Sequence, residues 1–388
     1  MDQLRLLLVE DEEEMLRQVA RSLASRLGER VQIEQELDFE RALTRLSTER
    51  FDIVILDVRK GDPDSPLGGT GPEAGRTCYE EIRAHRFLPI IFHTGLPGAV
   101  EDLASATVSI VKKGGPPAEL ADAVDRVLSS GLPAVMRAMV AHVERVHRDY
   151  MWDFGALAWS KYGNTDPEEL VHLLARRLAL SFDEAGIQDL LAEIRGTEVK
   201  RETRTKLSPV RLYILPPLSS TSPRTGDLYR CPDSQELAGF WILLTPTCDL
   251  AQGKVDKPVL ARCTPLTDTS EYTEWHKNRS KTKLKPLAGL LRNRREEQPE
   301  RYFFLPAAFD EVPNLVVDLA AVHAVPLVEL RNMTHVASLD TPFAASMLTR
   351  FLRYFGRFGT ADLDTEYVLE KLASVAEGQA VRFENADE

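Results

Sequence analysis

Four short apolar runs in the first 115 residues each end beside residues that could do chemistry. Leu4–Val9 is followed by Glu10 and Asp11. The run FDIVILDV, Phe51–Val58, carries Asp57 near its end. Pro89–His93 is followed by Thr94 and Gly95, and Val108–Val111 by Lys112, Lys113, Gly114 and Gly115. Three carboxylates brought together are costly unless a cation neutralises them. Hard oxygen ligands with room for water suit Mg2+. A lysine and a hydroxyl at the same place can hold the remaining anionic oxygens of a phosphoryl group.

These residues meet only if the runs are strands of one sheet. The patterning predicts that they are. Apolar runs alternate about five times with amphipathic stretches: a helix over Glu13–Leu27, a strand over Val31–Leu37, a helix over Phe39–Leu46, and helices over Glu73–His85 and Glu119–Ser129. Strands that are apolar throughout and alternate with helices imply a parallel sheet covered on both faces. In such doubly wound sheets the carboxyl ends of the strands surround one crevice, where ligands bind. Residues 60–75 are rich in Gly, Pro and Asp and read as a loop at that edge.

With these segments in hand, residues 1–130 resemble the receiver domain of bacterial two-component response regulators. The matching segments are LLLVEDEEEM, FDIVILDV, IIFHTG and IVKKGGPPAEL. The resemblance implies a flavodoxin-like, five-stranded α/β fold. It implies that Asp57 accepts a phosphoryl group from a sensor histidine kinase. It implies that Glu10, Asp11 and Asp57, with the main-chain carbonyl of Arg59, hold Mg2+, and that Thr94 is the switch hydroxyl. The family lysine falls on Lys113, whose spacing to Pro117, Glu119 and Leu120 fits the family pattern; Lys112 is the alternative. The sequence departs from the family in an insertion after Asp57, and in Ile110 where an aromatic switch residue is expected. In the family, phosphorylation biases the surface of the fourth helix and fifth strand, which implies a homodimer or an output contact there.

Residues 131–196 read as a helical connector. Ala134–His147 carries Val135, Met139, Val143 and Val146 on one face, and Pro167 stands near the start of a further helix. Residues 197–388 read as a β-rich α+β domain with short strands over 210–215, 240–245, 258–263, 302–305 and 315–319. A helix is expected over 346–373, with frayed residues beyond 376. The segment PRTGDLYRC followed by FWILLTPTCDL weakly resembles the barrel of MazF/PemK-type toxin endoribonucleases. That likeness implies that Asp227 fixes a turn and that Arg224 with Thr245 or Thr247 lines a site.

The tract 276–295 holds Lys277, Arg279, Lys281, Lys283, Lys285, Arg292, Arg294 and Arg295 and no acid. It suits an anion, nucleic acid or an acidic partner, or a solvated helix face. Cys231, Cys248, Cys263 and His276 lack the close pair that structural zinc sites use, so Cys248 and Cys263 are expected in the core. His323 and His335 are expected to be structural. Arg350, Arg353 and Arg357 form a basic stripe expected to face solvent or an acidic partner.

Composition limits the rest. The chain has 388 residues, 48 Lys+Arg and 60 Asp+Glu, a formal net charge of −12. Residues 1–130 account for −8 of it, with 24 acidic and 16 basic side chains. An acidic protein is a poor general binder of nucleic acid. Four cysteines are too few for a disulfide framework. There is no membrane span and no secretory leader, so a cytoplasmic location is expected. The combined expectation is a response-regulator-like phosphoacceptor controlling an atypical C-terminal effector or adaptor. Receivers fused to unfamiliar domains resemble those of bacterial conflict systems, which points to a defence or stress circuit. The alternatives are a phosphorylation-controlled nuclease of the MazF-like kind and a DNA-binding transcriptional regulator.

Overall fold

The computed structural model describes residues 3–58, 72–116, 118–163, 167–196, 207–217, 223–232, 237–295, 298–357 and 363–384. The chain divides into two compact units, Met1–Thr203 and Arg204–Glu388.

The first unit begins with five strands and four helices. They are β1 (Leu4–Val9), α1 (Glu13–Leu27), β2 (Val31–Glu36), α2 (Phe39–Thr48), β3 (Ile53–Leu56), α3 (Pro72–His85), β4 (Ile90–Thr94), β5 (Val108–Lys112) and α4 (Ala118–Ser129). The strands pair in the order β2-β1-β3-β4-β5, and every pairing is parallel. Alternate side chains explain why the strands are apolar throughout. Leu6, Leu8, Ile53 and Ile55 point to one face and pack against Leu16, Leu23 and Leu27 of α1 and Val124 of α4. Leu7, Val9, Val54 and Leu56 point to the other and pack against Phe39, Leu46, Cys78 and Ile82. A strand with period two must be apolar at every position when both faces are covered. Each fully buried Leu or Ile contributes roughly 1.5–3 kcal/mol of transfer free energy.

One connection departs from the family pattern. Between β4 and β5 the chain makes two 3-10 turns, Pro97–Ala99 and Glu101–Leu103, and no α-helix. The surface that a helix between β4 and β5 would share with β5 is therefore not built. Thirteen residues holding Pro97 and Gly98 leave little length or propensity for a helix there. Ile110 is partly buried against the β4 side of the core rather than placed as an aromatic switch.

After β5 and α4 the chain continues into α5 (Leu132–Tyr150). Two π-helical turns, Met151–Gly155 and Trp159–Gly163, flank a short α6 (Ala156–Ala158), and α7 (Pro167–Ser181) and α8 (Glu184–Arg195) follow. Helices α7 and α8 pack on α5. The tie between α5 and the sheet is polar. Arg137 forms an ion pair with Asp52 at the start of β3, and its Nη2 donates to the Gln3 carbonyl at 3.1 Å. Buried His142 of α5 lies 2.9 Å from the Ser181 hydroxyl.

The second unit is a seven-stranded antiparallel sheet: β6 (Tyr213–Ile214), β7 (Asp227–Cys231), β8 (Gly239–Leu243), β9 (Val259–Pro265), β10 (Tyr302–Leu305), β11 (Leu315–Ala324) and β12 (Thr334–Leu339). The order is β10-β11-β9-β8-β7-β12-β6. Its helices are α9 (Thr247–Ala251), α10 (Ser270–Lys277), α11 (Lys281–Leu291), α12 (Leu327–Asn332), α13 (Thr341–Phe355) and α14 (Thr365–Glu384). Leu228, Ile242, Ala261 and Val317 face α13, where Met347 completes that core. Tyr229, Trp241, Leu243 and Leu260 fill the other face with Leu330 of α12.

Several expectations shift here. Residues 209–212 form a 3-10 turn, so the expected strand over 210–215 shrinks to Tyr213–Ile214. The C-terminal helix is two helices, and the second continues to Glu384 where fraying was expected. Cys231 and Cys263 are buried, but Cys248 is exposed on α9, contrary to a place in the core.

Gly226, in the turn before β7, has φ +90. A Cβ there would lie 2.8 Å from the Ala344 Cβ and 3.1 Å from the Leu339 Cβ. Backbone strain and overpacking act together, so Gly226→Ala should cost about 2–4 kcal/mol. The check is the urea midpoint of the intact protein, which should fall; an unchanged midpoint would mean that the turn relaxes freely.

Candidate functional site

Parallel pairing places the ends of β1, β3, β4 and β5 at one edge, and the residues singled out by type converge there. Register pins them. The Glu10 amide donates to the Glu36 carbonyl at 3.1 Å and the Asp57 amide to the Val9 carbonyl at 3.0 Å. The Lys113 amide donates to the Thr94 carbonyl at 2.8 Å. These ladder bonds fix the backbone from which each side chain reaches into the crevice.

Lys113 sits between the acids. Its Nζ lies 2.6 Å from the Glu10 Oε2 and 2.9 Å from the Asp57 Oδ2. Lys112 is exposed at the end of β5 and makes neither contact, so Lys113 is the lysine of this cluster. Glu10, Asp11 and Asp57 each offer a carboxylate oxygen, and these oxygens lie within 4.8 Å of one another. Among the described residues no other group of His, Cys, Asp and Glu is gathered in this way, and Cys231, Cys248, Cys263 and His276 do not form one. Thr94 is fully buried, and its Oγ1 accepts a hydrogen bond from the Leu96 amide at 3.0 Å. Arg59 and Pro117 lie outside the described residues.

The electrostatics follow from burial. Glu10 is 2% exposed. Burial pushes its carboxyl above the ordinary value, the Lys113 hydrogen bond opposes this, and the charge of Asp57 adds to it. Burial also works against the Lys113 ammonium, but hydrogen bonds to Asp57 and Glu10 outweigh it and hold the lysine charged. His93, on β4 beside Thr94, is pushed down to about 4 by burial and by the Lys113 charge, so it is neutral at pH 7.

The chemistry of the donor set fits a divalent metal. The acids supply hard oxygens from three side chains, and one of them, the Glu10 Oε1, is buried with no hydrogen-bond partner. A buried carboxylate oxygen without a donor is costly unless a cation serves it.

Five parallel strands in the order 2-1-3-4-5, with an acidic cluster where the order reverses between β1 and β3, decide the fold. The first unit contains a CheY-like receiver fold. Solved structures of receivers are similar to this region. One is the non-phosphorylated HemR receiver domain from Leptospira biflexa, at 26% identity over 33% of this chain and 95% of that chain, TM-score 0.27. Another is the receiver domain of the hybrid histidine kinase CckA, at 26% identity over 32% of this chain and 98% of that chain, TM-score 0.24. A third is the response regulator TrrA from Thermotoga maritima in complex with Mg2+ and BeF, at 23% identity over 32% and 98%, TM-score 0.26. No family model matches the chain, and no curated protein does. The receiver accounts for about a third of the chain, and the remainder is unassigned. No helix among the described residues is long and apolar enough to cross a membrane.

The other sequence-derived residues are placed less simply. The basic tract is partly neutralised by acids that precede it. Lys283 pairs with Glu274 of α10 at 2.6 Å, and Arg295 pairs with Glu271 at 2.7 Å while its guanidinium lies over Tyr302. Arg279 stacks over Trp275. Lys277 ends α10, Lys281 begins α11, and Lys285, Arg292 and Arg294 line a cavity of about 440 Å3. Helix packing of α10 on α11 supplies the acids that the tract itself lacks. Arg350 is part-buried: its Nε lies 4.0 Å from the Glu300 Oε2, and it donates to the carbonyls of Pro299, Tyr302 and Asn293, clamping β10 and the end of α11 to α13.

Asp227 does close a turn. Its Oδ2 accepts from the Arg224 amide at 2.7 Å, and its amide returns to the Arg224 carbonyl. Arg224 and Thr247 line a cavity of about 250 Å3 with Thr225 and Ser338. Thr245 stands apart from that lining and accepts from the Val259 amide at 2.7 Å. Sequence reading missed the cluster behind it. Asp227 Oδ1 accepts from the Ser338 hydroxyl at 2.6 Å and lies 3.3 Å from the His335 Nε2, and His335 stacks on Tyr229. The β7–β12 pairing makes this cluster, and residues more than a hundred positions apart give no local signal for it.

Proposed function

We propose that the first unit is a response-regulator-like phosphoacceptor in which Asp57 takes a phosphoryl group from a sensor histidine kinase. The observation that carries this reading is Lys113 bridging Glu10 and Asp57 beside the buried Thr94 hydroxyl. An Asp57 carboxylate oxygen attacks phosphorus in line as the phosphohistidine P–N bond breaks. The imidazole leaves with the electron pair, and Asp57 becomes an acyl phosphate. Lys113 holds a phosphoryl oxygen and offsets the charge that gathers there. Glu10, Asp11 and Asp57, with the Arg59 carbonyl, would hold Mg2+, which when bound supplies further neutralisation of the phosphoryl oxygens. The Thr94 hydroxyl, now occupied by the Leu96 amide, reorients toward the new acceptor oxygens and carries the 95–107 connection with it.

In this reading the second unit is the output, an effector or adaptor, in a cytoplasmic signalling circuit of bacterial stress or defence. Dimerisation through the receiver would use a surface other than a helix between β4 and β5. The test is beryllofluoride, which mimics the phosphoryl group. With Mg2+ it should give a bound fluorine-19 signal with the wild type and none with Asp57→Asn. The same signal from both proteins would remove Asp57 from the role.

A further inference from the structure

A cavity of about 680 Å3 lies at the opposite pole of the receiver from Asp57. It is framed by the amino ends of β1, β3 and β4 and by one face of α5, which contributes Pro133, Met136, Arg137 and Val140. Its size is that of a small-molecule site. Four arginines line it: Arg5, Arg50, Arg86 and Arg137.

Three of the four have carboxylate partners. Arg5 pairs with Glu34 and Glu49, Arg50 with Glu144, and Arg137 with Asp52. Arg86 has none within ion-pair distance among the described residues. Its guanidinium donates to the Glu49 carbonyl and is half-buried. Its own burial, and then the neighbouring Arg50 charge, disfavour that cation. Next to it Phe87 is 51% exposed, a large aromatic ring left in solvent on the wall of the cavity.

We infer that this cavity binds a nucleotide-class ligand, an anionic phosphate joined to a flat ring. A guanidinium fork matches phosphate in a bidentate way, and an aromatic face accepts a base. The phosphate meets Arg86 and Arg50; the ring covers Phe87. Because α5 forms one wall and runs on toward the rest of the chain, the ligand is a second input to the receiver, independent of Asp57.

The experiment is calorimetric titration of the full chain with AMP, adenosine and inorganic phosphate as probes. AMP should bind, and adenosine and phosphate should each bind about tenfold more weakly or worse. Arg86→Gln should weaken AMP at least about tenfold, the effect of losing one charged hydrogen bond. Phe87→Ala, an exposed position, should weaken AMP and leave phosphate unchanged. Beryllofluoride binding at Asp57 should persist in both variants, which separates this site from the phosphoacceptor. No heat with AMP at millimolar concentration, equal binding of AMP and phosphate, or AMP binding unaltered by Arg86→Gln would overturn the assignment.

Discussion

Lys113→Met should slow phosphorylation of Asp57 by acetyl phosphate about 100-fold or more, while the protein stays folded. The loss has two parts. Lys113 holds the Glu10 and Asp57 carboxylates at 2.6 and 2.9 Å, so removing it leaves their repulsion uncompensated. It is also a fixed cation beside the transferring group, and removal of one preorganised donor typically costs a factor of 10²–10³. Methionine keeps the stem length and apolar bulk, so the backbone bond from the Lys113 amide to the Thr94 carbonyl remains. The measurement is the time course of phosphoprotein formation. A rate within a factor of about three of the wild type would remove Lys113 from the chemistry. Lys112→Met, on an exposed side chain, should leave the rate unchanged.

Asp227→Ala should destabilise the second unit by about 3–5 kcal/mol. Asp227 is fully buried at the start of β7, in the middle of the sheet. Its carboxylate accepts from the Arg224 amide and the Ser338 hydroxyl and faces the Tyr229 hydroxyl at 3.4 Å. Alanine removes the acceptor of the buried Ser338 hydroxyl and the partner of the Tyr229 hydroxyl, each at a cost of about 1–3 kcal/mol, and leaves a void as well. Burial, with the nearby Asp227 charge, holds the Tyr229 hydroxyl protonated well above its ordinary range. Native-state hydrogen exchange of the β7 and β12 amides reads this directly. Protection unchanged to within about 1 kcal/mol would show that the carboxylate does not hold the sheet.

The receiver was legible because its information is local. Each strand is a continuous apolar run, each helix shows its own period, and the reactive residues stand at run ends, so parallel topology alone brings them together. Helix Glu13–Leu27 falls where its spacing predicts. In the β4–β5 connection the patterning places no helix and none forms; only the family resemblance implies one, which thirteen residues with Pro97 and Gly98 do not make. In the second unit the strands are short and the pairing is long-range. The β12 strand joins β7 across more than a hundred residues, and the Asp227, Ser338 and His335 contacts exist only through that pairing. The pairing of the basic tract was not legible either. Its counter-charges, Glu271 and Glu274, lie on the preceding helix and reach it only when α10 packs on α11.

The account turns on Asp57 as a phosphoacceptor. The direct test is intact-mass spectrometry of the full chain after incubation with acetyl phosphate and Mg2+. The wild type should gain the mass of one phosphoryl group, lose it on chelation before incubation, and Asp57→Asn should gain nothing. Equal labelling of Asp57→Asn, or no labelling of folded wild type that holds the metal, would contradict the account.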